Sequence, residues 1–529
     1  MRNRRRHFTL GALLAYAALG AQAIGAKELW FNEDDSHFYM MLRDEGKVSV
    51  TRERCARYVD DVCRGGAVTH FLMCPNAMRS NIDSKALEPI WKAFDEPGVN
   101  PRWAEQAVWI RDAGIDLYGE WIRACRERGV SPWLSVRMND IHGVRDPTFP
   151  SLCTLWREHP ELKRIPHYDG DDWHLHAFNF SNEVVRTSRL DYVKELLARY
   201  DVDGIEIDWM RFPYHLAPGR GPVDAHYLTE LMREIRRVAD DEGKRRDRRI
   251  SVAARVTTTI ASALDLGTDV RTWLKEKLVD VVIPCNFFMT SDFALPLREW
   301  QELIAVENPS VHLVSGTDIR VRKDEMDSQK MSVSEFAGWI DQQFSKGAPG
   351  VYLFNFYEFQ HQKEPRTLWT TFMSRDGIDP VRVTSLSRTF PVTCRECAGP
   401  ETDGRQLPTG LREGADIVID GGSGPSDDGI VRIRLAFAEP VADSVLRGIS
   451  LNGLSPMASR AVPVKDWIEA KEPTRAKCSY ALEFPVKAAR PGVNHLTFRP
   501  ISGRENLLAA CELEFESTDA KRVMRRSTP

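Results

Sequence analysis

The sequence predicts an α/β fold, a (β/α)8 TIM barrel followed by a smaller all-β, sandwich-like domain. Three observations predict it. Short apolar runs alternate with amphipathic helical stretches from about residue 27 to about residue 372, the signature of a parallel sheet wrapped in helices. Past Phe372 the helical period disappears and alternating runs punctuated by Gly and Pro take over, as in a sandwich. Within the first region, the run Asp203-Gly204-Ile205-Glu206-Ile207-Asp208 reads as a buried strand that carries two acids on one face to its C-terminal end, the end where barrel chemistry is done.

In chain order, residues 1–23 read as an export signal. Arg4-Arg5-Arg6-His7-Phe8 precedes an apolar run from Leu10 to Ala21, and Ala21-Gln22-Ala23 supplies small residues at cleavage spacing. Arg5-Arg6-His7-Phe8 resembles the twin-arginine export motif of bacteria, so the mature protein is expected in the periplasm or outside the cell. The apolar run is short for a bilayer, and no later segment approaches spanning length. Losing the signal leaves 68 basic against 76 acidic residues, a net charge of −8. A mixed, mildly acidic surface argues against nucleic acid as a partner. Ten cysteines are scattered, and Cys394 and Cys397 form the only C-x-x-C pair, with no second pair or histidine cluster beside it for zinc.

The barrel, expected over 27–372, draws its strands from Glu28–Asn32, Val68–Cys74, Ser131–Met138, Gly204–Asp208, Ile250–Val256, Val279–Cys285, Val311–Gly316 and Gly350–Asn355. Phe38–Met41 competes for the first place. Helices are expected between them. Trp103, Ala107, Ile110, Gly114, Leu117, Trp121 and Cys125 keep a 3–4 spacing up to Gly129. Tyr192, Leu196 and Leu197 mark the helix before the fourth strand, and Leu228, Met232, Ile235 and Val238 the one after it. Phe336, Ile340 and Phe344 mark another before Gly347. Asn139 to Asn182 is too long for an ordinary connection and reads as an elaborated loop over the active face.

Residues 373–410, rich in Pro, Gly, Ser and Thr, read as a linker or irregular entry, 411–518 as the β-sandwich and 519–529 as a tail. Ile417–Ile419, Val431–Phe437 and Tyr480–Phe484 supply its strands, and Pro491–Phe498 looks like a strand entered through a tight turn.

In the opening strand Ile205 and Ile207 face one way and Glu206 and Asp208 the other. Buried acids are costly unless used or satisfied, and glycoside hydrolysis needs two carboxyl groups flanking the scissile bond. Asp208, at the strand's end, is the first candidate. Glu206, one pleat deeper, suits the tuning of its neighbour, because adjacent carboxylates raise one pKa. Asp318 and Glu358 rank nearly level as the second carboxylate, with Asp140 behind them. Other strand ends carry Asn139, Asn286, Asn355 and Tyr357. The asparagines are candidates for hydroxyl contacts, and Trp209, Tyr214 and Tyr357 for stacking against sugar rings. Arg137, Arg211, Arg255 and Arg320 recur at the same level. They either line a cleft that favours carboxylated or sulfated sugars through bidentate contacts or pair with the acids just named. His174-Leu175-His176 beside Asp171 and Asp172 gives only a weak metal spacing. No phosphate loop, Gly-x-Ser-x-Gly elbow or dinucleotide fingerprint appears.

The segment Asp203-Gly204-Ile205-Glu206-Ile207-Asp208-Trp209-Met210-Arg211-Phe212-Pro213 resembles one found in bacterial glycosyl-hydrolase-like proteins grouped near glycoside hydrolase family ten. That resemblance implies a (β/α)8 barrel and glycosidase activity on polysaccharide. The segment is also similar to the chitinase signature of glycoside hydrolase family eighteen, Asp-Gly-x-Asp-x-Asp-x-Glu. Asp203, Gly204 and Asp208 match it, Glu206 replaces an aspartate, and Met210 stands in place of the catalytic glutamate. A thioether donates no proton, so a chitinase mechanism is disfavoured. The expectation is an exported glycoside hydrolase on a carbohydrate, anionic glycans included, with no metal or organic cofactor. A glycan-binding barrel without catalysis is the alternative.

Overall fold

The structure, a computed structural model, describes residues 27–34, 36–63, 67–99, 104–286, 290–324, 328–356, 373–374, 377–393, 406–469, 474–500 and 506–517. Parallel strands β1 (Glu28–Glu33), β2 (His70–Met73), β3 (Ser131–Arg137), β4 (Gly204–Asp208), β5 (Ser251–Val256) and β6 (Val281–Pro284) pair in sequence order. The next stave is interrupted. β7 (His312–Leu313) pairs with β6, and β8 (Ser315–Asp318), one residue further on, pairs with the last stave. Val314 N–H donates to Val282 O at 3.0 Å, carrying the chain across the break. After the short antiparallel pair β9 (Arg320–Val321) and β10 (Gln329–Lys330), strand β11 (Gly350–Phe354) pairs with both β8 and β1, and the barrel is closed.

All eight expected staves are present. Phe38–Met41 belongs instead to the helix Ser36–Glu45, where Phe38 and Leu42 lie on one buried face. The long 3–4 pattern before Gly129 is two helices, Glu105–Asp112 and Leu117–Glu127, because Gly114 between them adopts φ 65°, a conformation that ends a helix. Glu183–Arg199 and Gly221–Arg245 flank β4 as expected. Val333–Ser345 starts on a capping box built by Ser332 and Glu335.

Inside the barrel, Trp30, Leu72, Trp133, Ala253, Val281, Ile283, Val314, Tyr352 and Phe354 form a core of their own, separate from the helix-facing one. The parallel register stacks this interior in levels. Trp133 lies beside Gly204, Ser135 beside Glu206, and Arg137, Asp208 and Arg255 form a row across three strands. Gly204 is dictated by the lowest of these levels, since a Cβ there would meet the Trp133 ring at 2.3 Å. Gly204→Ala is therefore expected to lower the unfolding free energy by about 1–3 kcal/mol. Urea denaturation measures it, and an unchanged midpoint would mean that Trp133 swings aside without cost.

The remaining strands are antiparallel, beginning with the short pair β12 (Met373–Ser374) and β13 (Gly377–Ile378). β14 (Arg388–Pro391), β22 (Leu507–Glu516), β17 (Ile430–Phe437), β20 (Cys478–Phe484) and β19 (Ala458–Val462) line up in that order, and β15 (Thr409–Gly410) joins β22. β16 (Ala415–Asp420), β21 (Val493–Phe498) and β18 (Ser450–Leu451) form a second sheet. The stretch 373–410 thus contributes two strands to the larger sheet. Lys323, 4% exposed, fixes the barrel to this unit by pairing with Glu335 at 2.5 Å and Glu512 at 2.8 Å. Among the described residues no helix is long and apolar enough to cross a membrane, and the eight described cysteines are free thiols. The leader, Cys394, Cys397 and the tail lie outside the described residues.

Candidate functional site

At the C-terminal end of β4, Asp208 is fully buried and fully engaged. Arg255 Nε and Nη2 donate to its two oxygens at 3.0 Å each, and the backbone N–H groups of Met210 and Arg211 add two bonds of 2.8 Å to Oδ1. Asp208, expected as a catalytic carboxylate, forms a bidentate ion pair, because β5 delivers Arg255 in register beside it. One level below, Glu206 Oε1 accepts from Ser135 Oγ at 2.6 Å and Tyr352 OH at 3.1 Å, while Oε2 is sealed with no partner. Burial, and next the Asp208 charge, pushes the Glu206 carboxyl up to about 7. The expected coupling of two acids is present, and it falls on Glu206.

This shift has a stability consequence. A folded state that holds the Glu206 proton more tightly than the unfolded chain gains stability that is complete below the ordinary value of 4.5 and is lost as pH rises through about 7. Asp318, raised from 3.8 to about 6, acts in the same direction. Glu206→Gln, shaped like the protonated acid, is expected to reduce the loss of stability between about pH 5 and about pH 8. Urea unfolding at both pH values checks this, and equal losses in the two proteins would contradict it.

Asp318 ends β8. Its Oδ1 accepts from Arg320 N–H at 3.0 Å and its Oδ2 from Asn355 Nδ2 at 3.2 Å. With 5% exposure and no ion pair among the described residues, its carboxyl is raised from 3.8 to about 6, and burial is the largest cause. Phe354 stands beside Asp318 in register. Arg255 lies 4.1 Å and Arg211 5.3 Å from the centre of its ring.

A polar chain completes the mouth. Arg137 donates to Asp140 at 3.1 Å and to Asp34 at 3.2 Å. Asp140 also accepts from His142, whose Nδ1 lies 2.7 Å away, and Arg211 Nη2 lies 2.7 Å from His142 Nε2. A guanidinium only donates, so Nε2 must be unprotonated and Nδ1 must carry the hydrogen given to Asp140. The His142 pKa is depressed, first by burial, in keeping with that neutral ring, and the Asp140 pKa is lowered against its own burial by His142 and Arg137. Arg211 has no carboxylate within 4.0 Å among the described residues, and its Nε is buried without a partner. Phe212 (φ 63°) and Asn355 (φ 57°), which follow the ends of β4 and β11, are both left-handed, a strain typical of functional loops.

Other expectations are corrected. Trp209 is buried against Phe180, His215 and Trp273 and offers no stacking face, because one residue past Asp208 the side chain points into the helix layer. Asn139 is a structural clip. Its Nδ2 donates to Phe178 O and Tyr214 O, its Oδ1 accepts from Phe178 N–H, and full burial keeps it from a sugar hydroxyl. Arg320 turns to Ser328. Asn286 is 6% exposed with Nδ2 unsatisfied. Tyr214 is half-buried beside Trp173. Tyr357 and Glu358 lie outside the described residues. Sequence reasoning missed Asp34, His142, Ser135 and Tyr352. Among the described residues no three His, Cys, Asp or Glu side chains gather to hold a metal ion.

No protein-family model and no curated protein matches this chain. Solved structures do. The glycoside hydrolase domain of PgaB (BpsB) from Bordetella bronchiseptica is similar at 11% identity and a TM-score of 0.40, over 66% of this chain and 99% of that one. An α-L-fucosidase isoenzyme 2 from Paenibacillus thiaminolyticus is similar at 12% and 0.40, over 65% of this chain and 48% of that one. A cycloisomaltooligosaccharide glucanotransferase from Paenibacillus sp. is similar at 9% and 0.35, over 94% and 58%. The chain thus spans about half the length of the last two.

Proposed function

We propose that the chain is a glycoside hydrolase with Asp318 as its proton donor. The observation that carries the reading is the contrast between two carboxyl groups at the strand ends. Asp318 has its carboxyl raised to about 6 by burial, while Asp208 is ion-paired with Arg255. A raised acid together with an ion-paired carboxylate supplies an acid and a charged partner, the pair that hydrolysis of a glycosidic bond requires. Asp318 protonates the leaving oxygen. The ionised partner, which stabilises the cationic transition state or activates water, is Asp208 or, by sequence position alone, Glu358. Arg211 and His142, at the exposed mouth, hold the sugar hydroxyls. Export to the periplasm or beyond rests on the leader sequence.

One observation favours the second reading, a glycan-binding barrel without turnover. Both Asp208 oxygens are already occupied by Arg255, and Oδ1 also by two backbone amides, so little of the carboxylate is left for a substrate or water. Incubating the purified protein with a panel of polysaccharides and measuring reducing ends decides between the two. Release from at least one polymer is expected, and binding without any release would leave the non-catalytic reading.

A further inference from the structure

The insertion after β3 and the loop after β4 border a second cleft, of about 390 Å³, lined by Arg164, His174, Tyr214, His215 and Asp265 together with residues of the 213–222 loop. Arg164 is its distinctive group. The side chain is 92% buried and has no carboxylate within 4.0 Å among the described residues. Its Nε donates to Leu216 O at 2.5 Å and its Nη1 to His174 O at 3.0 Å, and the guanidinium lies 5.0 Å from the Tyr214 ring centre. Two of its five N–H groups are therefore used. Nη2 and the second N–H of Nη1 have no acceptor among the described residues, and Arg164 lines the cleft.

Burying a cation without a counter-charge is costly. The Arg164 pKa is accordingly pushed down by burial to about 10. Two carbonyls would be held as well by neutral donors, so the charge itself is unexplained by the fold. A second unsatisfied group lies in the same wall. His215 Nε2 donates to Trp209 O at 2.8 Å, leaving Nδ1 as a buried acceptor with no partner. A row of ring contacts links the wall of the cleft to the mouth of the barrel. His142 and Phe212 are 4.7 Å apart, Phe212 and Trp173 5.6 Å, and Trp173 and Tyr214 5.5 Å.

We infer that this cleft is a distal subsite for a carboxylate-bearing sugar, a uronic acid residue of a chain whose neighbouring units reach the barrel mouth. The planar end of the Arg164 fork matches a planar carboxylate, Tyr214 offers a half-buried ring beside it, and Asp265 accepts a sugar hydroxyl. The proposal rests on the glycan reading of the barrel but not on catalysis.

The test uses the full chain with polygalacturonate, alginate and hyaluronan, each compared with its carboxyl-reduced, neutral counterpart. Affinity electrophoresis of wild type is expected to show at least about tenfold tighter binding to one carboxylated polymer, weakening with salt. Arg164→Gln is expected to lose that preference and to keep the affinity for the neutral polymer, with Arg164→Lys in between. Equal wild-type affinity for every carboxylated and reduced pair would overturn the subsite without recourse to a variant, as would an Arg164→Gln protein that keeps the preference. Repeating the comparison in Asp318→Asn separates the two readings. A carboxylate preference there, with no turnover by wild type, sinks the hydrolase and leaves the subsite standing. Turnover without any preference does the reverse.

Discussion

Asp318→Asn is expected to lower turnover about 10²- to 10⁴-fold on any glycan that the wild type cleaves, with little change in KM or in the unfolding midpoint. The amide is a close copy of the protonated carboxyl. Its oxygen still accepts from the Arg320 amide, and the contact with Asn355 survives by rotation of either side-chain amide. What the variant lacks is a transferable proton. The same assignment fixes the pH profile. A donor whose carboxyl is raised from 3.8 to about 6 by burial must be protonated to act, so activity is expected to fall as pH rises through about 6. Reducing-end assays across pH check both statements. A variant that is folded by circular dichroism and keeps wild-type turnover would remove Asp318 from the mechanism.

The frame of the molecule was legible because each barrel stave is a short apolar run set between helical periods. Breaks inside elements were less so. The interruption at Val314 leaves the alternation of inward residues intact, and Gly114 sits on an apolar-spaced position, so neither disturbs a sequence pattern. At the site, polar residues at strand ends stood out, and Asp208, Asp318 and Asn355 do lie at the mouth of the barrel. Orientation beyond a strand's last residue is another matter. Asp208 and Trp209 are neighbours in sequence, yet one faces the barrel axis and the other the helices. The partners that decide each side chain's state come from far along the chain. Asp34 is separated from Arg137 by 103 residues and His142 from Arg211 by 69. No local pattern encodes those distances.

Asp208→Asn is expected to cost stability first and activity second. Arg255, 2% exposed, has Asp208 as its one carboxylate within 4.0 Å among the described residues. Removing the charge leaves a buried guanidinium facing a neutral amide, and breaking such a pair costs about 3–5 kcal/mol. Urea unfolding should show a loss of that size in Asp208→Asn and again in Arg255→Met. The double variant separates an ion pair from two independent residues. With both charges gone nothing is left unpaired, so its loss should be well below the sum of the single losses. Strict additivity would contradict the pairing. The pair also shapes the mouth, since the same Asp208 oxygen holds the Met210 and Arg211 amides and thereby starts the turn in which Phe212 is strained to φ 63°. An asparagine at 208 keeps an oxygen for those amides, whereas Asp208→Ala frees the turn and displaces Arg211 from His142. Glycan affinity should therefore fall further in Asp208→Ala than in Asp208→Asn, although both have lost the same charge.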